Sequence, residues 1–217
     1  MAFKTPNKTS EYIRSLMKEE TDEIYKQINE YADKNFIPVL LPETASFLAQ
    51  LIRLAKPKKI LEIGTAIGYS AQIMLRNSNA QLYTVEVEEK RIEIAKKFFA
   101  KAGLLDRVTV FCGDAGEIVP MLTGEYDFIF MDGPKTRYIE YLPYLDKLLK
   151  KDGILLCDNV LFNGMLSGDT EIIQKKNTIV VKIEEFLQAL YNKDNYITSI
   201  IPVGDGLSLS IKTERNL

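Results

Sequence analysis

The 217-residue sequence contains no histidine. Without an imidazole, the protein cannot use Ser-His-Asp or Cys-His catalysis and cannot hold zinc or haem through histidine. Proton transfer must instead involve lysine, tyrosine, a carboxylate or an oxygen bound to a metal. The sequence therefore predicts that any metal is held by oxygen ligands.

Cysteines and long apolar runs are also scarce. Cys112 and Cys157 lack the paired spacing of a zinc or redox motif, so we interpret both as small buried hydrophobic residues. No stretch approaches the roughly 20 apolar residues that span a bilayer, and the opening MAFKTPNKTSEY has no signal-like run. These absences predict a cytoplasmic protein with no membrane segment.

Neither sign of charge is in large excess, because the sequence contains 28 lysines and arginines and 30 aspartates and glutamates. A net charge of -2 gives no global attraction to nucleic acid, although a local basic face is compatible with it. The 46% hydrophobic content is sufficient for one sizeable core. We expect a single domain over residues 1–217, with helices in 1–55 and a sheet in 56–217.

Short apolar runs alternate with amphipathic stretches from Lys59 onward. This alternation is typical of parallel strands covered by helices on both faces. The predicted strands are KILEI, QLYTVEV, RVTVFC, YDFIFMD and GILLCD, and the predicted helices span 69–76, 89–102, 115–122, 138–150 and 175–191. The segment ITSIIPVGDGLSLSIK reads as two strands and a turn. The sequence thus predicts an α/β fold whose mostly parallel sheet ends in an antiparallel hairpin.

Two further helices are predicted before the sheet, over residues 11–34, with possible breaks, and 43–54. They could cover the site as a lid, form a dimer interface, or pack onto the sheet. We favour packing onto the sheet as the simplest interpretation.

An acidic residue stands at or just after the end of each predicted parallel strand: Glu62, Glu86, Asp114, Asp132 and Asp158. Ligands of open parallel sheets bind beyond these carboxyl ends. One such acid is ordinary, since aspartate caps helices and starts turns. Five in succession favour a binding pocket.

The first strand is followed by LEIGTAIGYSA, in which Gly64 and Gly68 allow a tight turn into a helix. The motif lacks the further glycine that brings a dinucleotide pyrophosphate against the backbone, which disfavours NAD. S-adenosylmethionine carries no phosphate and needs only a looser turn. Ser70 could hydrogen-bond its carboxylate.

Glu86 lies about 20 residues beyond the glycine turn, where an acid can accept both ribose hydroxyls. The alternative is a solvated acid beside Glu88 and Glu89. Asp114 in CGDAGE could accept the adenine amino group, cap the following helix, or do both.

The motifs FMDGPKTRY and LLCDNVLF place Asp132, Asp158 and Asn159 at the ends of two strands. Two carboxylates and an amide are hard oxygen ligands suited to Mg²⁺, or to another divalent cation such as Mn²⁺. A metal there would activate a hydroxyl and hold it in line with a sulfonium methyl. Lys135 is placed to accept or relay the hydroxyl proton. Local turn bonds and a solvated loop lysine are the alternatives.

Together, LEIGTAIGYS, Glu86, GDA at 113–115, MDGPKTRY and CDNVLF resemble the metal-dependent O-methyltransferases of the catechol and caffeoyl-coenzyme A type, from about Phe36 to Lys212. The resemblance implies a Rossmann-like methyltransferase sheet with a reversed final strand, a homodimer, Asp132, Asp158 and Asn159 as metal ligands, and Lys135 and Asp132 as catalytic residues. It implies cofactor contacts at Val39, Ser70, Glu86, Asp114, Ala115 and Asp132, to which the strand end adds Glu62 and the glycine turn adds Gly64.

Within that family, DNVLFNGML, KKNTIVVKIEEF and IIPVGDGLSLS are most similar to bacterial tRNA 5-hydroxyuridine methyltransferases. This similarity implies the wobble position of the tRNA anticodon loop as substrate. Basic and aromatic candidates for contacting tRNA are Lys135, Arg137, Lys175, Lys176, Lys182, Phe162 and Tyr138. The alternative acceptor is a small catechol or hydroxycinnamoyl thioester, which chelates a metal equally well.

Two departures from the family pattern stand out. Gly133 and Pro134 replace the Ala and Asp common between the metal Asp and the Lys, and residues before Val39 match nothing clearly. A non-catalytic adenosine-binding domain and a dehydrogenase are alternatives, because fold alone does not fix chemistry. The missing phosphate-loop glycine opposes the dehydrogenase. The complete Asp132, Lys135, Asp158 and Asn159 set opposes the non-catalytic domain.

Overall fold

A computed structural model describes residues 8–214, which are built around a seven-stranded sheet. Its strands are β1 (Lys59–Ile63), β2 (Gln81–Glu86), β3 (Val108–Cys112), β4 (Tyr126–Met131), β5 (Leu149–Asp158), β6 (Tyr196–Ile201) and β7 (Leu207–Lys212). They lie in the order β3-β2-β1-β4-β5-β7-β6. The first five are parallel, and β7 is antiparallel to both β5 and β6. The predicted fold class is confirmed.

Helices cover both faces of this sheet. In the described part of the chain they are α1 (Lys8–Leu16), α2 (Glu23–Asn35), α3 (Pro42–Ala55), α4 (Tyr69–Arg76), α5 (Glu89–Lys101), α6 (Ala115–Ile118), α7 (Tyr138–Leu148) and α8 (Asn177–Tyr191). From β1 the strand order runs outward in one direction to β2 and β3, and from its parallel neighbour β4 it runs in the other direction to β5. In open α/β sheets this reversal opens the crevice in which ligands bind.

Neighbouring side chains along each strand enter opposite cores, as the two-residue period of a strand requires. In β4, Ile129 faces the core that contains Tyr138 of α7 and Phe186 of α8. Phe128 and Phe130 face the core formed with α3, α4 and α5. Because both faces are covered, the central strands are apolar nearly throughout, which is why they were recognisable in the sequence.

The helices before the sheet differ in how they pack. Leu48 and Ile52 of α3 are fully buried against the sheet. In contrast, α2 packs Ile28 and Ala32 against Ile67 of the glycine turn and Phe98 of α5. Although α1 buries none of its residues, the Arg14 guanidinium pairs with buried Glu43 of α3 at 2.8 Å. The lid and dimer interpretations stay predictions.

Several predicted boundaries shift for identifiable reasons. The helix predicted over 115–122 ends at Ile118 and continues as a 3-10 turn, because Pro120 has no N–H to donate. Strand β5 begins at Leu149, earlier than predicted, because Leu149 already pairs with Tyr126. The prediction that Cys112 is buried is wrong, since it ends the edge strand β3 and is exposed. Cys157, within β5, is buried as predicted.

No helix between residues 8 and 214 combines the length and apolar character needed to cross a membrane.

Candidate functional site

The glycine turn after β1 brings three strand ends together. Gly64 has a φ of +102°, and a Cβ there would lie 2.6 Å from the backbone oxygen of Asp132. Gly64 N–H donates to the carbonyl of Val85, and Asp132 N–H to that of Ile63. A side chain at Gly64 would therefore disturb the point where β1, β2 and β4 meet.

Glu62 lies beneath this turn and is fully buried. Its two carboxylate oxygens accept hydrogen bonds from Ser70 Oγ at 2.5 Å and Thr84 Oγ1 at 2.6 Å. Burial raises the pKa of Glu62 to about 7, against the opposing effect of these hydroxyl bonds. Glu62 thus anchors the start of α4 from below. The sequence suggested that Ser70 hydrogen-bonds a cofactor carboxylate. In the structure its hydroxyl donates to Glu62 instead.

Glu86 ends β2 and is 7% exposed, so its interpretation as a solvated acid is wrong. One oxygen accepts Ala66 N–H of the glycine turn at 2.9 Å. The other accepts the N–H groups of Val87 and Glu88, each at 3.0 Å. Three backbone donors fix the carboxylate beside the turn, yet a carboxylate has about four acceptor positions, which leaves capacity for a ligand hydroxyl.

Asp114 follows β3 and caps α6 by accepting Gly116 N–H at 2.6 Å. It also accepts two hydrogen bonds from Arg137 Nη1, at 2.7 and 2.8 Å. Arg137 Nε donates to Glu140 at 3.0 Å. The capping interpretation of Asp114 is confirmed, and Arg137 is a partner that the sequence did not reveal.

The predicted metal residues lie at the ends of the adjacent strands β4 and β5. Met131 pairs with Cys157 in register, so Asp132 and Asp158 emerge side by side. Asp158 is 4% exposed, and its burial, followed by the charge of Asp132, raises the pKa of its carboxyl. Asn159 follows with a left-handed φ of 59° and donates its N–H to Asp158 at 2.7 Å.

Lys135 supplies the nearest positive charge to these acids. Its Nζ lies 2.6 Å from Asp132 Oδ1, and its side chain is only 17% exposed. Lys135 therefore contacts Asp132 directly, and its role in accepting or relaying the hydroxyl proton stays a prediction. The alternative, that Lys135 is a loop lysine surrounded by water, is wrong.

Tyr138 was predicted as a stacking platform for a nucleic-acid base, and this is wrong because its side chain is fully buried. Its hydroxyl contacts the carbonyl oxygens of Met131 at 3.0 Å and Asp158 at 3.3 Å. It therefore holds together the ends of β4 and β5 that carry the two acids. Only the tertiary structure identifies this role.

The loop after Asn159 is fastened to the β6–β7 turn. Asp205 accepts Asn163 N–H at 2.5 Å, and its carbonyl accepts Leu161 N–H at 3.0 Å. Phe162 and Asn163 have left-handed φ values of 46° and 59°. Such conformations persist where surrounding contacts determine them. Asp205, unassigned from the sequence, thus helps fix the loop next to the predicted metal ligands.

The predicted tRNA-contacting cations are largely engaged by acids. Lys135 pairs with Asp132, Arg137 with Asp114 and Glu140, and Lys182 with Glu185 at 2.8 Å. Lys176 Nζ lies 5.4 Å from the centre of the Phe162 ring, so it already occupies that aromatic face. Lys175 is exposed. The structure does not gather these residues into a free basic patch.

The remaining predicted cofactor residues flank the same end of the sheet. Val39 is half-buried between α2 and α3 and packs with Ile28 and Ile67. Ala115 begins α6 directly after Asp114. Within residues 8–214, no three Cys, Asp or Glu side chains cluster as a metal site. The predicted set contains two carboxylates and an amide, and as a metal site it remains a prediction.

The chain is similar to known proteins of one enzyme family. A family model described as O-methyltransferase matches residues 8–213. A catechol O-methyltransferase of Niastella koreensis is 33% identical over 160 residues, covering 70% of this chain and 72% of that protein. A caffeoyl-CoA O-methyltransferase of Populus kitakamiensis is 31% identical over 172 residues, covering 75% and 73%.

A solved structure gives the same result for the fold. The O-methyltransferase TomG of Streptomyces achromogenes, in complex with S-adenosylmethionine, superposes with a TM-score of 0.82 at 27% identity, covering 95% of this chain and 96% of that one.

Proposed function

Since the chain belongs to the O-methyltransferase family, we propose that it methylates a small acceptor with two neighbouring oxygens, such as a catechol or hydroxycinnamoyl thioester, with the aid of a divalent cation. It is an S-adenosylmethionine-dependent enzyme. The observation that carries the proposed chemistry is the Asp132–Lys135 pair beside buried Asp158. It combines oxygen ligands and a proton-handling group at the sheet's switch point.

We assign the cofactor to the other side of the crevice. Glu86, held by three backbone amides, would accept the ribose hydroxyls, and Asp114 would accept the adenine amino group. Gly64 lets the chain turn under the cofactor, and Val39 and Ala115 would supply apolar contact. Ser70 and Glu62 would shape the amino-acid end through their shared hydrogen bond.

The donor set fits a divalent cation. Asp158 is buried beside a second carboxylate, and Lys135 supplies only one opposing positive charge. We propose Asp132, Asp158 and Asn159 as the residues that would hold it, as Mg²⁺ or Mn²⁺. Such a cation would polarise the acceptor hydroxyl and favour its deprotonated form.

The chain's own groups have separate tasks in methyl transfer. Lys135, once it has lost one ammonium proton to solvent, would receive the proton from the acceptor hydroxyl. That oxygen then bonds to the methyl carbon as the carbon–sulfur bond breaks, so the sulfonium becomes a thioether. Tyr138 keeps Asp132 and Asp158 in place through the strand ends. Orientation of the two reactants supplies much of the rate.

We place the small acceptor ahead of tRNA, reversing the order suggested by sequence motifs alone. The reported relatives are named for catechol and caffeoyl-CoA. Most predicted tRNA-contacting cations have acidic partners, and Tyr138 is inaccessible to a base. A tRNA bearing 5-hydroxyuridine remains the second candidate, because its hydroxyl lies next to a carbonyl oxygen and could occupy the same position.

The experiment is methyl transfer from labelled S-adenosylmethionine to three acceptors in parallel: a simple catechol, caffeoyl-CoA, and hypomodified tRNA bearing 5-hydroxyuridine. Each is tested with Mg²⁺ and with EDTA. Label in a small acceptor that EDTA abolishes supports the proposal. Label only in tRNA would overturn the choice of acceptor, and full activity in EDTA would overturn the role of the metal.

Asp158→Ala separates the metal proposal from cofactor binding. The variant should lose methyl transfer but bind S-adenosylhomocysteine nearly as well as the parent protein, measured by calorimetry. Binding of Mn²⁺, followed by electron paramagnetic resonance, should be lost as well. Retained Mn²⁺ binding would contradict the ligand assignment. The homodimer expected from the resemblance is also part of this proposal, and sedimentation at micromolar concentration tests it.

A further inference from the structure

Arg137 occupies a position that only a glycine at residue 116 permits. A Cβ built on Gly116 would lie 1.9 Å from Arg137 Nη2 and 2.8 Å from its Cζ. The backbone of Gly116 is outside the left-handed region, so its conformation does not itself require glycine. The absence of a side chain therefore makes room for the guanidinium over the start of α6.

The guanidinium is held there from three sides. Nη1 chelates both oxygens of Asp114, at 2.7 and 2.8 Å, and Nε donates to Glu140 at 3.0 Å. The Arg137 Cζ lies 5.3 Å from the centre of the Tyr141 ring. The side chain is 34% exposed, so the ion pair itself adds little to folding stability.

What Arg137 does add is a defined orientation of Asp114. Asp114 Oδ1 already accepts both Gly116 N–H and Arg137, whereas Oδ2 accepts only Arg137. A carboxylate oxygen can accept about two hydrogen bonds, so Oδ2 retains one free position. With the carboxylate plane fixed, that position points in a constant direction, and no rotamer freedom is lost when a ligand binds.

We propose that Arg137 is a positioning residue for cofactor recognition, which acts through Asp114 to select a purine with a 6-amino group. This inference rests on the proposed adenine contact of Asp114. Arg137 would not touch the cofactor, and it is not a free cation for phosphate. A polar site built for an amino group rejects an analogue that lacks it, because its acceptor is then left facing another acceptor.

The test compares affinities for S-adenosylhomocysteine and S-inosylhomocysteine, in which an oxo group replaces the 6-amino group. The ratio of the two dissociation constants measures purine selection. We expect Arg137→Ala to weaken S-adenosylhomocysteine binding about 3- to 10-fold, the cost of ordering one side chain, with little change for the inosine analogue. Arg137→Lys should restore only part of the selection, because an ammonium lacks the planar, forked geometry that fixes the plane of the Asp114 carboxylate.

Gly116→Ala displaces Arg137 without removing its charge, and its Cβ would also lie 2.9 Å from Asp114 Oδ1. It should therefore lower the affinity ratio at least as much as Arg137→Ala does. In the double variant Gly116→Ala/Arg137→Ala the two effects should not add. Glu140→Gln, which leaves the Asp114 contacts in place, is the matched control and should retain the ratio. Circular dichroism and thermal unfolding of each variant verify that it is folded.

The outcomes separate this inference from the proposal on which it rests. If Asp114→Ala leaves the affinity ratio unchanged, the adenine contact of Asp114 is wrong. If Asp114→Ala abolishes the difference in affinity but Arg137→Ala and Gly116→Ala do not, Asp114 recognises the purine independently of Arg137. The proposed role of Arg137 is then refuted.

Discussion

The ammonium nitrogen of Lys135 lies 2.6 Å from Oδ1 of Asp132, three residues earlier in the chain. Among residues 8–214, no other positive side chain contacts the carboxylate of Asp132 or of buried Asp158. The same lysine thus offsets the negative charge of the acids, and in the proposed function it would also lie within reach of the acceptor. These two roles can be tested separately.

Lys135→Met should lower kcat by about 10²- to 10⁴-fold, the range for loss of a proton-transfer group. The dissociation constant for S-adenosylhomocysteine should change little, because Lys135 lies on the acceptor side. Steady-state kinetics and calorimetry measure the two quantities. Lys150→Met, which removes a lysine paired with Asp127 at 2.8 Å, is the matched control. A kcat within a factor of three of the parent value would refute the proton-transfer role.

Glu62→Gln tests the buried carboxyl beneath the glycine turn. The folded-state pKa of Glu62 is raised to about 7 from 4.5, so the native state binds its proton more tightly than the unfolded chain. Stability conferred by the protonated form is therefore greatest below pH 4.5 and is lost as the pH rises to 7, by about 3 kcal/mol. Urea unfolding between pH 5 and 7.5 should show this loss in the parent protein.

In Glu62→Gln the decline of the free energy of unfolding with pH should be shallower, because the amide does not titrate. Asp158 also has a raised pKa and contributes a decline of the same sign, so the comparison rests on the difference between the two proteins. Equal slopes would mean that Glu62 is ionised without cost in the folded state.

Tyr138→Phe should reduce the free energy of unfolding by about 1–2 kcal/mol. The variant removes the hydroxyl that bonds to Met131 and Asp158 and leaves buried carbonyl oxygens without that donor. Tyr144→Phe is the control, since Tyr144 lies on the same helix with 40% exposure. Urea unfolding of both variants gives the comparison, and equal stability would contradict the bridging role.

Gly206→Ala and Gly168→Ala form a matched pair. Both glycines have left-handed φ values, +83° and +82°, so alanine meets the same backbone cost at each. At Gly206 the new Cβ would lie 2.3 Å from Leu161 Cγ, whereas at Gly168 nothing lies within 4 Å. Gly206→Ala should therefore be the more destabilising and should raise KM for the acceptor. Equal melting temperatures would show that Leu161 can move away freely.

Much of the fold was predictable because its signals are local. Strands covered on both faces are apolar runs, and α4 was predicted with its observed bounds, 69–76, directly after the glycine turn. Boundaries shifted where a distant partner decides them. Leu149 joins β5 because Tyr126 lies beside it, and Cys112 is exposed because no strand follows β3 at the sheet edge.

For the candidate site, the sequence predicted which acidic residues lie close together. It did not predict which groups their side chains hydrogen-bond. Acids at the ends of parallel strands must lie at one edge, so Asp132 and Asp158 were predictable neighbours. The engagement of Ser70 by Glu62 and of Arg137 by Asp114 depends on side-chain directions fixed only by packing. Tyr138 was misjudged because an aromatic ring after a loop looks the same whether it faces inward or outward.

The position of β7 between β5 and β6 has a consequence for biosynthesis. Asp158 pairs with Leu207, so the outer edge of its strand has no partner until β7 has been translated, after α8 and β6. During elongation on the ribosome, β5 presents unpaired N–H and C=O groups that invite association with other chains. We expect the predicted metal site, which includes Asp158 at the end of β5, to form only in the last stage of folding.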